Sequence, residues 1–407
     1  MSQPNTIYFD NNATTRISPS VFEAMVPFLT EHYGNPSSAY RIGRTVNSAI
    51  ETAREQVATL IGCQPKEIIF TSCGTESDNT AIASALQTTG RNHIVTSTVE
   101  HSAIKSQTEH LERLGHGVTR LPVAADGTLT VQQVEQALRP DTAIVSLMWA
   151  NNETGVLFPV EEIAGLCASR GVLFHTDAVQ AVGKIPVNLA ASKIDLLSIS
   201  GHKLHAPKGV GVLFARRRKV APLLLGGSQE KGKRGGTENV ASIVGLGQAA
   251  LEACEKMDEE NTRVRALRDR FESTVLRLIP HTGVNGHATQ RLPNTSNIAF
   301  HAVEAEALLI LLDQYGICAS AGSACTTGSL EPSHVLRAMG VAKEQALGSL
   351  RFSFSIYNSE DEVDRSLALL PGIVSRLRAE TPSAAALKAR MDAGENITAG
   401  LNLEFKA

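Results

Sequence analysis

The sequence predicts an α/β fold in which a large domain, built on a mainly parallel sheet, is joined to a smaller α+β domain. Three observations lead there. Between residues 67 and 215, short β-rich runs alternate with stretches of helical length, the pattern of a parallel sheet covered on both faces. Beyond about residue 238 a long helical stretch leads into a second group of strands and helices. At 407 residues the length prior is two or three domains, and a chain this long buries most of its apolar surface.

The elements follow in order. Ser18 before Pro19 opens a helix over "SVFEAMVPFLTEHY", because proline fits the first helical turn and serine caps it. "TVNSAIETAREQVATLIG" is an amphipathic helix that stops at Gly62. The strand "EIIFTS" precedes the helix "GTESDNTAIASALQ", and "HIVTST" precedes "SAIKSQTEHLERL". "HGVTRL" leads to a helix opened by Thr130, with Gln133 at the capping-box spacing. "TAIVSLMWA" is followed by "VEEIAGLCASR", and then come the strands "VLFHTD", "IDLLSIS" and "GVGVLFA". The second unit contains "NTSNIAF", "EAEALLILLDQYG", a loop around Cys325, "LRFSFS" and a last helix capped by Ser359 with Glu362. The expected boundaries are 16–259 for the large domain, and 1–15 with 260–407 for the small one. The tail from about 380 is polar and alanine-rich, without a pattern.

Composition excludes several classes of function. A net charge of -3, from 38 basic and 41 acidic residues, argues against a nucleic-acid or anionic-membrane partner. The opening "MSQPNTIYFDNNATT" lacks the basic stretch and apolar run of a secretory leader, and runs such as "ALLILL" are too short to span a bilayer. The 6 cysteines (63, 73, 167, 254, 318, 325) include no C-x-x-C pair, so neither a metal site nor a disulfide framework is expected. A reducing, cytoplasmic setting is the expectation.

In open α/β sheets, ligands sit beyond the carboxyl ends of the strands. Five predicted strand ends carry polar clusters: Thr71 to Ser77, Glu100-His101, Asn151 to Gly155, Asp177 to Gln180, and Ser200 to Lys203. Each also has a purely structural reading. Gly74 and Thr75 can cap a helix or seat a phosphate on free N–H groups. Asp177 with Gln180 fits a second capping box. His101 alone reads as a structural histidine, and Lys203 alone as a surface lysine. Taken together, a lysine for a Schiff base, an aspartate for a pyridinium nitrogen and a phosphate seat are what pyridoxal 5'-phosphate requires. Spacing alone does not choose Lys203 over Lys184, Lys193 or Lys208.

The motifs "YFDNNATT", "GNPSS", "FTSCGTES", "VEH", "NNETG", "HTDAVQ", "SGHKLHAPKGVG", "RGGTEN" and "SAGSACTTGSLEPSHVLRAMG" occur in that order. As a set they resemble the pyridoxal-phosphate-dependent cysteine desulfurases, most closely the nitrogen-fixation (NifS) type, over roughly residues 7 to 378. The resemblance implies a fold-type I homodimer, similar to aspartate aminotransferase, that converts L-cysteine to L-alanine. It also implies delivery of sulfur, as a persulfide, to an iron–sulfur scaffold protein serving nitrogenase. On this sequence it makes Lys203 the Schiff-base lysine, Asp177 the partner of the pyridinium nitrogen and Gln180 that of the ring hydroxyl oxygen. His101 would stack on the ring and move protons. Gly74, Thr75, Ser200 and His202 would hold the phosphate, with Thr237 of the partner subunit. Asn152 would sit near the ring hydroxyl and the substrate carboxylate, which Arg351 would grip bidentately.

The same resemblance makes Cys325 the persulfide carrier. Its neighbours in "ASAGSACTTGSL" are small and polar, unlike those of an inert core thiol. Cys318 reads as packing, and Cys73 lies close to the phosphate seat. Transamination on the same scaffold would leave "GSACTTGS" without a purpose. A non-catalytic sulfur carrier would leave Lys203, Asp177 and His101 unexplained.

Overall fold

The computed structural model describes residues 6–216, 219–321, 331–380, 386, 389 and 393–394. Its centre is a seven-stranded sheet in the order Ile68–Thr71, Gly211–Ala215, Leu196–Ser200, Leu173–Asp177, Thr142–Met148, His93–Ser97, Gly117–Leu121. Four neighbouring pairs are parallel, and only Gly211–Ala215 runs against its two neighbours. Five of the strands are buried at every residue, as expected of a sheet covered on both faces.

The flanking helices begin where the sequence places its caps. Ser18 Oγ accepts from Val21 N at 3.3 Å at the start of Pro19–Thr30. Thr130 and Gln133 form their reciprocal capping box, and Gly62 closes Arg41–Ile61 in the left-handed conformation. The capping box at Asp177 and Gln180 does not form. Asp177 Oδ1 accepts from Val179 N at 2.9 Å in a tight turn, and no helix follows.

A second, three-stranded antiparallel sheet is ordered Ser349–Ser353, Thr295–Phe300, Thr282–Val284. Its core draws on Ile7, Phe9 and residues from Val264 onward, with Phe9, Phe271, Phe352 and Phe354 in ring contact at 4.6–5.8 Å. The first core spans the large sheet and its helices, and it also takes in Leu292, Val335, Leu336 and Met339. One helical path joins the two cores, from Val240–Glu255 through a π-turn at Glu260–Val264 into Arg265–Leu278. The N-terminal segment is the other link. Ile7–Tyr8 pairs with Ile317–Cys318, Asp10 bridges Ser353, and Thr15 N donates to His202 O at 3.0 Å. No helix among the described residues is long and apolar enough to cross a membrane.

Helix Val240–Glu255 packs against Arg41–Ile61, and at Gly247 almost no side chain separates them. A Cβ on Gly247 would stand 2.7 Å from Ala53 Cα and Cβ and 2.3 Å from Gln56 Oε1. Gly247→Ala must therefore push the two helices apart. It is expected to cost about 1–3 kcal/mol in chemical denaturation, the usual cost of overpacking, despite alanine's better helix propensity.

Candidate active site

The polar clusters predicted at the strand ends converge on one cavity of about 280 Å³. Its wall includes Gly74, Thr75, His101, Asn152, Asp177, Gln180, Ser200, His202, Lys203 and Arg351.

Strand Leu196–Ser200 ends in the short turn Gly201–Lys203, which swings the lysine under the cavity. Lys203 Nζ donates to the carbonyls of Asn12, at 2.5 Å, and Ala13, at 2.6 Å. Burial, with the charges of Arg351 and Lys184, pushes its pKa down to about 7, while Asp10 and Asp177 oppose the shift. A large fraction of this amine is therefore unprotonated at neutral pH.

Asp177 is the last residue of its strand. Burial pushes its carboxyl above the usual range, against the pull of His101, the Val179 N–H and Lys203. A cationic N–H brought into the cavity would restore its charge. Gln180 stands three residues on, its Nε2 donating to Asn12 O at 3.0 Å.

His101 caps helix Ser102–Arg113, with Nδ1 accepting from Ala103 N at 3.2 Å. In the neutral ring the proton then sits on Nε2. Burial lowers its pKa; Asp177 opposes this, and Lys203 and His334 add to it.

Helix Gly74–Thr89 opens with Cys73 in extended conformation and no side-chain cap, so its first N–H groups are free to meet an anion. A Cβ on Gly74 would lie 2.8 Å from Val179 Cγ2 and 3.4 Å from Ser200 Cβ, so glycine keeps this cradle open. His202 has a pKa lowered to about 4, first by burial and then by nearby cations, and its Nδ1 lies 3.1 Å from Thr14 Oγ1. With Thr14 donating, Nε2–H is left as a neutral donor.

Arg351 is 2% exposed, with Nη2 on Asp10 Oδ1 at 2.6 Å and Nη1 on Asn152 O at 2.9 Å. Thr237 is exposed and takes no part in this cavity wall, and Cys325 lies outside the described residues. Cys318 is half-buried in the two-stranded pairing, and Cys73 borders the cavity.

Sequence reasoning left four contributors without a role. Asn12 supplies a carbonyl to both Lys203 and Gln180, and Asp10 holds Arg351. His334 lines the cavity while its Nε2 donates to Glu100 O at 3.0 Å. Asp78, 1% exposed, lies one turn beyond Gly74 on the same helix face. The asparagine pair in "DNNATT" and the four-residue spacing from Gly74 to Asp78 were the available signals.

Comparison with known proteins decides the family. Residues 7–366 match the family model described as aminotransferase class-V. A cysteine desulfurase of Gluconacetobacter diazotrophicus is 55% identical over 382 residues, covering 93% of this chain and 96% of that one. The cysteine desulfurase NifS of Azotobacter vinelandii is 53% identical over 92% of this chain and 94% of its own. The chain belongs to the cysteine desulfurases of the class-V aminotransferase family. Among solved structures, a NifS-like protein superposes with a TM-score of 0.86 at 38% identity, covering 91% of this chain and 100% of its own. Another, SspA, solved in complex with cysteine, gives 0.78 at 34% identity, covering 87% of this chain and 100% of that one. The fold is therefore that of pyridoxal-phosphate fold-type I enzymes, with the large mainly parallel sheet at its centre.

The family depends on pyridoxal phosphate, and the cavity of this desulfurase fits it. An anion-ready helix start with a glycine cradle, a buried carboxyl and a lysine amine of lowered pKa share one cavity. Because the reactive amine is the neutral one, trapping of pyridoxal phosphate on the apoprotein by borohydride is expected to label Lys203. The labelling rate should climb about tenfold per pH unit below about 7 and level off above it. Peptide mass mapping locates the label. A midpoint near the ordinary lysine value of about 10.4 would contradict the burial argument.

Proposed function

We propose that the chain is a pyridoxal-phosphate-dependent cysteine desulfurase that converts L-cysteine to L-alanine and holds the released sulfur as a persulfide on Cys325. The observation that carries this reading is the meeting of Lys203, Asp177 and the uncapped helix start at Gly74 in one cavity with Arg351. Bound pyridoxal phosphate supplies a ring that accepts electrons when the substrate's α-proton leaves.

The chain's own residues do the rest. Lys203 anchors the cofactor and then serves as the base at the α-carbon, a task suited to an amine with pKa about 7. Asp177 would pair with the pyridine nitrogen, and Gln180 and Asn152 would meet the ring hydroxyl oxygen. Gly74, Thr75, Ser200 and His202 hold the phosphate with Thr237 of the partner subunit. His101 covers the ring and moves a proton at Nε2. Arg351 receives the carboxylate of L-cysteine, near Asn152. The Cys325 thiolate would bond to the substrate's sulfur as the carbon–sulfur bond breaks, its electron pair leaving with the carbon that takes up a proton to become the methyl group of alanine.

The covalent chain supports the last assignment. Ser320 is tied to the backbone of Arg351 by bonds of 3.1 and 2.7 Å. Cys325 follows five residues later in the sequence.

The acceptor in this reading is an iron–sulfur scaffold protein that supplies nitrogenase, in the cytoplasm, in keeping with the similarity to NifS. The working form is a homodimer. Thr237 lies outside its own cavity, and Phe22, Leu29, Tyr33, Tyr40 and Leu225 are exposed apolar side chains in need of cover. The division into residues 16–259, and 1–15 with 260–407, belongs to the same reading, supported by a second core that, among the described residues, draws nothing from between Phe9 and Val264.

The deciding test is a visible spectrum before and after L-cysteine, with alanine quantified. A yellow protein whose band shifts as alanine forms bears the reading out, and a protein that stays colourless and inert after adding pyridoxal phosphate overturns it. Cys325→Ser should keep the spectral shift yet lose sulfide release by on the order of 100-fold or more. Normal release would reassign the nucleophile. Sedimentation equilibrium should return twice the chain mass of 43.4 kDa.

A further inference from the structure

One buried cation beside the cavity has so far only an electrostatic part, in lowering the pKa of Lys203. Lys184 is 6% exposed, and its Nζ lies 3.2 Å from both Gln180 O and Gln180 Oε1. It shares a small void, about 40 Å³, with Glu260 of the π-turn and with Lys203. Its own carbonyl accepts from Asn261 Nδ2 at 2.9 Å, which ties it to that same turn. Lys184 thus stands between the helical path joining the two cores and the residue assigned to the ring oxygen.

An amide side chain can present either its oxygen or its nitrogen to a partner, and its neighbours decide which. We propose that Lys184 is a positioning residue, whose amine, held on Gln180 Oε1, fixes the Gln180 amide so that Nε2 faces the cavity as a donor. The lysine ammonium has donors only, so the reversed amide would set N–H against N–H at Lys184. The same reversal would set carbonyl against carbonyl at Asn12, where Nε2 now donates at 3.0 Å. Both ends of the amide therefore reject the flip.

Burial lowers the Lys184 pKa to about 8 and raises that of Glu260 to about 7, each charge partly sustaining the other. The ammonium, the form that prevails below about pH 8, offers Oε1 donors only, whereas the neutral amine would gain a lone pair and lose that discrimination.

This inference rests on the reading of Gln180 as the donor to the cofactor's ring oxygen. A donor aimed at that oxygen stabilises its deprotonated form, and loss of the donor raises the pH at which the bound cofactor gives up its proton. The experiment is a pH titration of the visible absorption of the holoenzyme, a readout that a merely structural lysine would not move. K184M and Q180A are each expected to raise the midpoint, by about half a unit or more. The double variant K184M/Q180A should go no further than Q180A, because the lysine acts through the glutamine.

A shifted Q180A beside a K184M at the parent midpoint overturns the inference and leaves the role of Gln180 standing. Shifts that add in the double variant overturn it as well. A Q180A that matches the parent removes the role of Gln180 and the inference with it. Where K184M folds poorly because Glu260 is left unpaired, K184M/E260Q removes the buried pair together and undergoes the same titration.

Discussion

A lysine amine buried against two backbone carbonyls is the constraint on which the rest of this molecule depends. Burying an ammonium is costly unless it is hydrogen-bonded and electrostatically compensated, and the usual response is a depressed pKa. Asn12 and Ala13 provide the acceptors, and they can do so only because the N-terminal segment crosses from the small sheet to the Lys203 turn. That crossing is itself pinned at both ends, by Asp10 against Ser353 and by Thr15 against His202. Arg351 and Lys184 press the amine toward neutrality, yet each has its own carboxylate neighbour in Asp10 or Glu260. The site thus combines a reactive amine with a nearly balanced set of buried charges.

The acid side of the cavity follows the same logic. Asp78, Glu100 and Asp177 are all buried in one region, and three carboxylates there would repel one another strongly. Burial raises Glu100 to about 8, although Ser97 Oγ and Met148 N donate to it. Burial and the charge of Asp177 raise Asp78 well above the ordinary carboxylate range. His175 cannot serve as their counter-ion, because burial lowers it to about 3 and its two nitrogens rest on Ser146 and Ser198. Asp177 is left as the group nearest the two basic side chains, His101 and Lys203, and so the one best placed to carry charge.

Much of this was legible in the sequence, for identifiable reasons. The alternation of strand and helix signals between 67 and 215 gave the sheet, and the strand ends marked its ligand side. Ser18, Gly62, Thr130 and Ser359 marked helix ends because cap chemistry is local. What stayed hidden was set by tertiary contact. Asp177 with Gln180 has the spacing of a capping box, but both side chains are claimed elsewhere, by Val179 N–H, Asn12 and Lys184. Asn12 acts through its carbonyl, which no residue type announces. Asp10 is far along the chain from Arg351, and only their pairing at 2.6 Å reveals its part in the site. Arg351 itself was legible only through resemblance, since one arginine in "SLRFSF" looks like any other.

The placement of Arg351 bears on the proposed sulfur transfer. Its backbone is bonded to Ser320 on one side of the Cys325 segment, while on the other side Ser333 Oγ donates to Glu153 Oε2 and His334 to the Glu100 carbonyl. Both flanks are therefore fastened to residues of the cavity wall or its immediate support. Between them the sequence runs through alanine, glycine, serine, threonine and Cys325 to Leu330, Glu331 and Pro332. In the proposed reaction, the backbone bonds that steady Arg351 also fix Ser320, five residues before the thiol in the sequence.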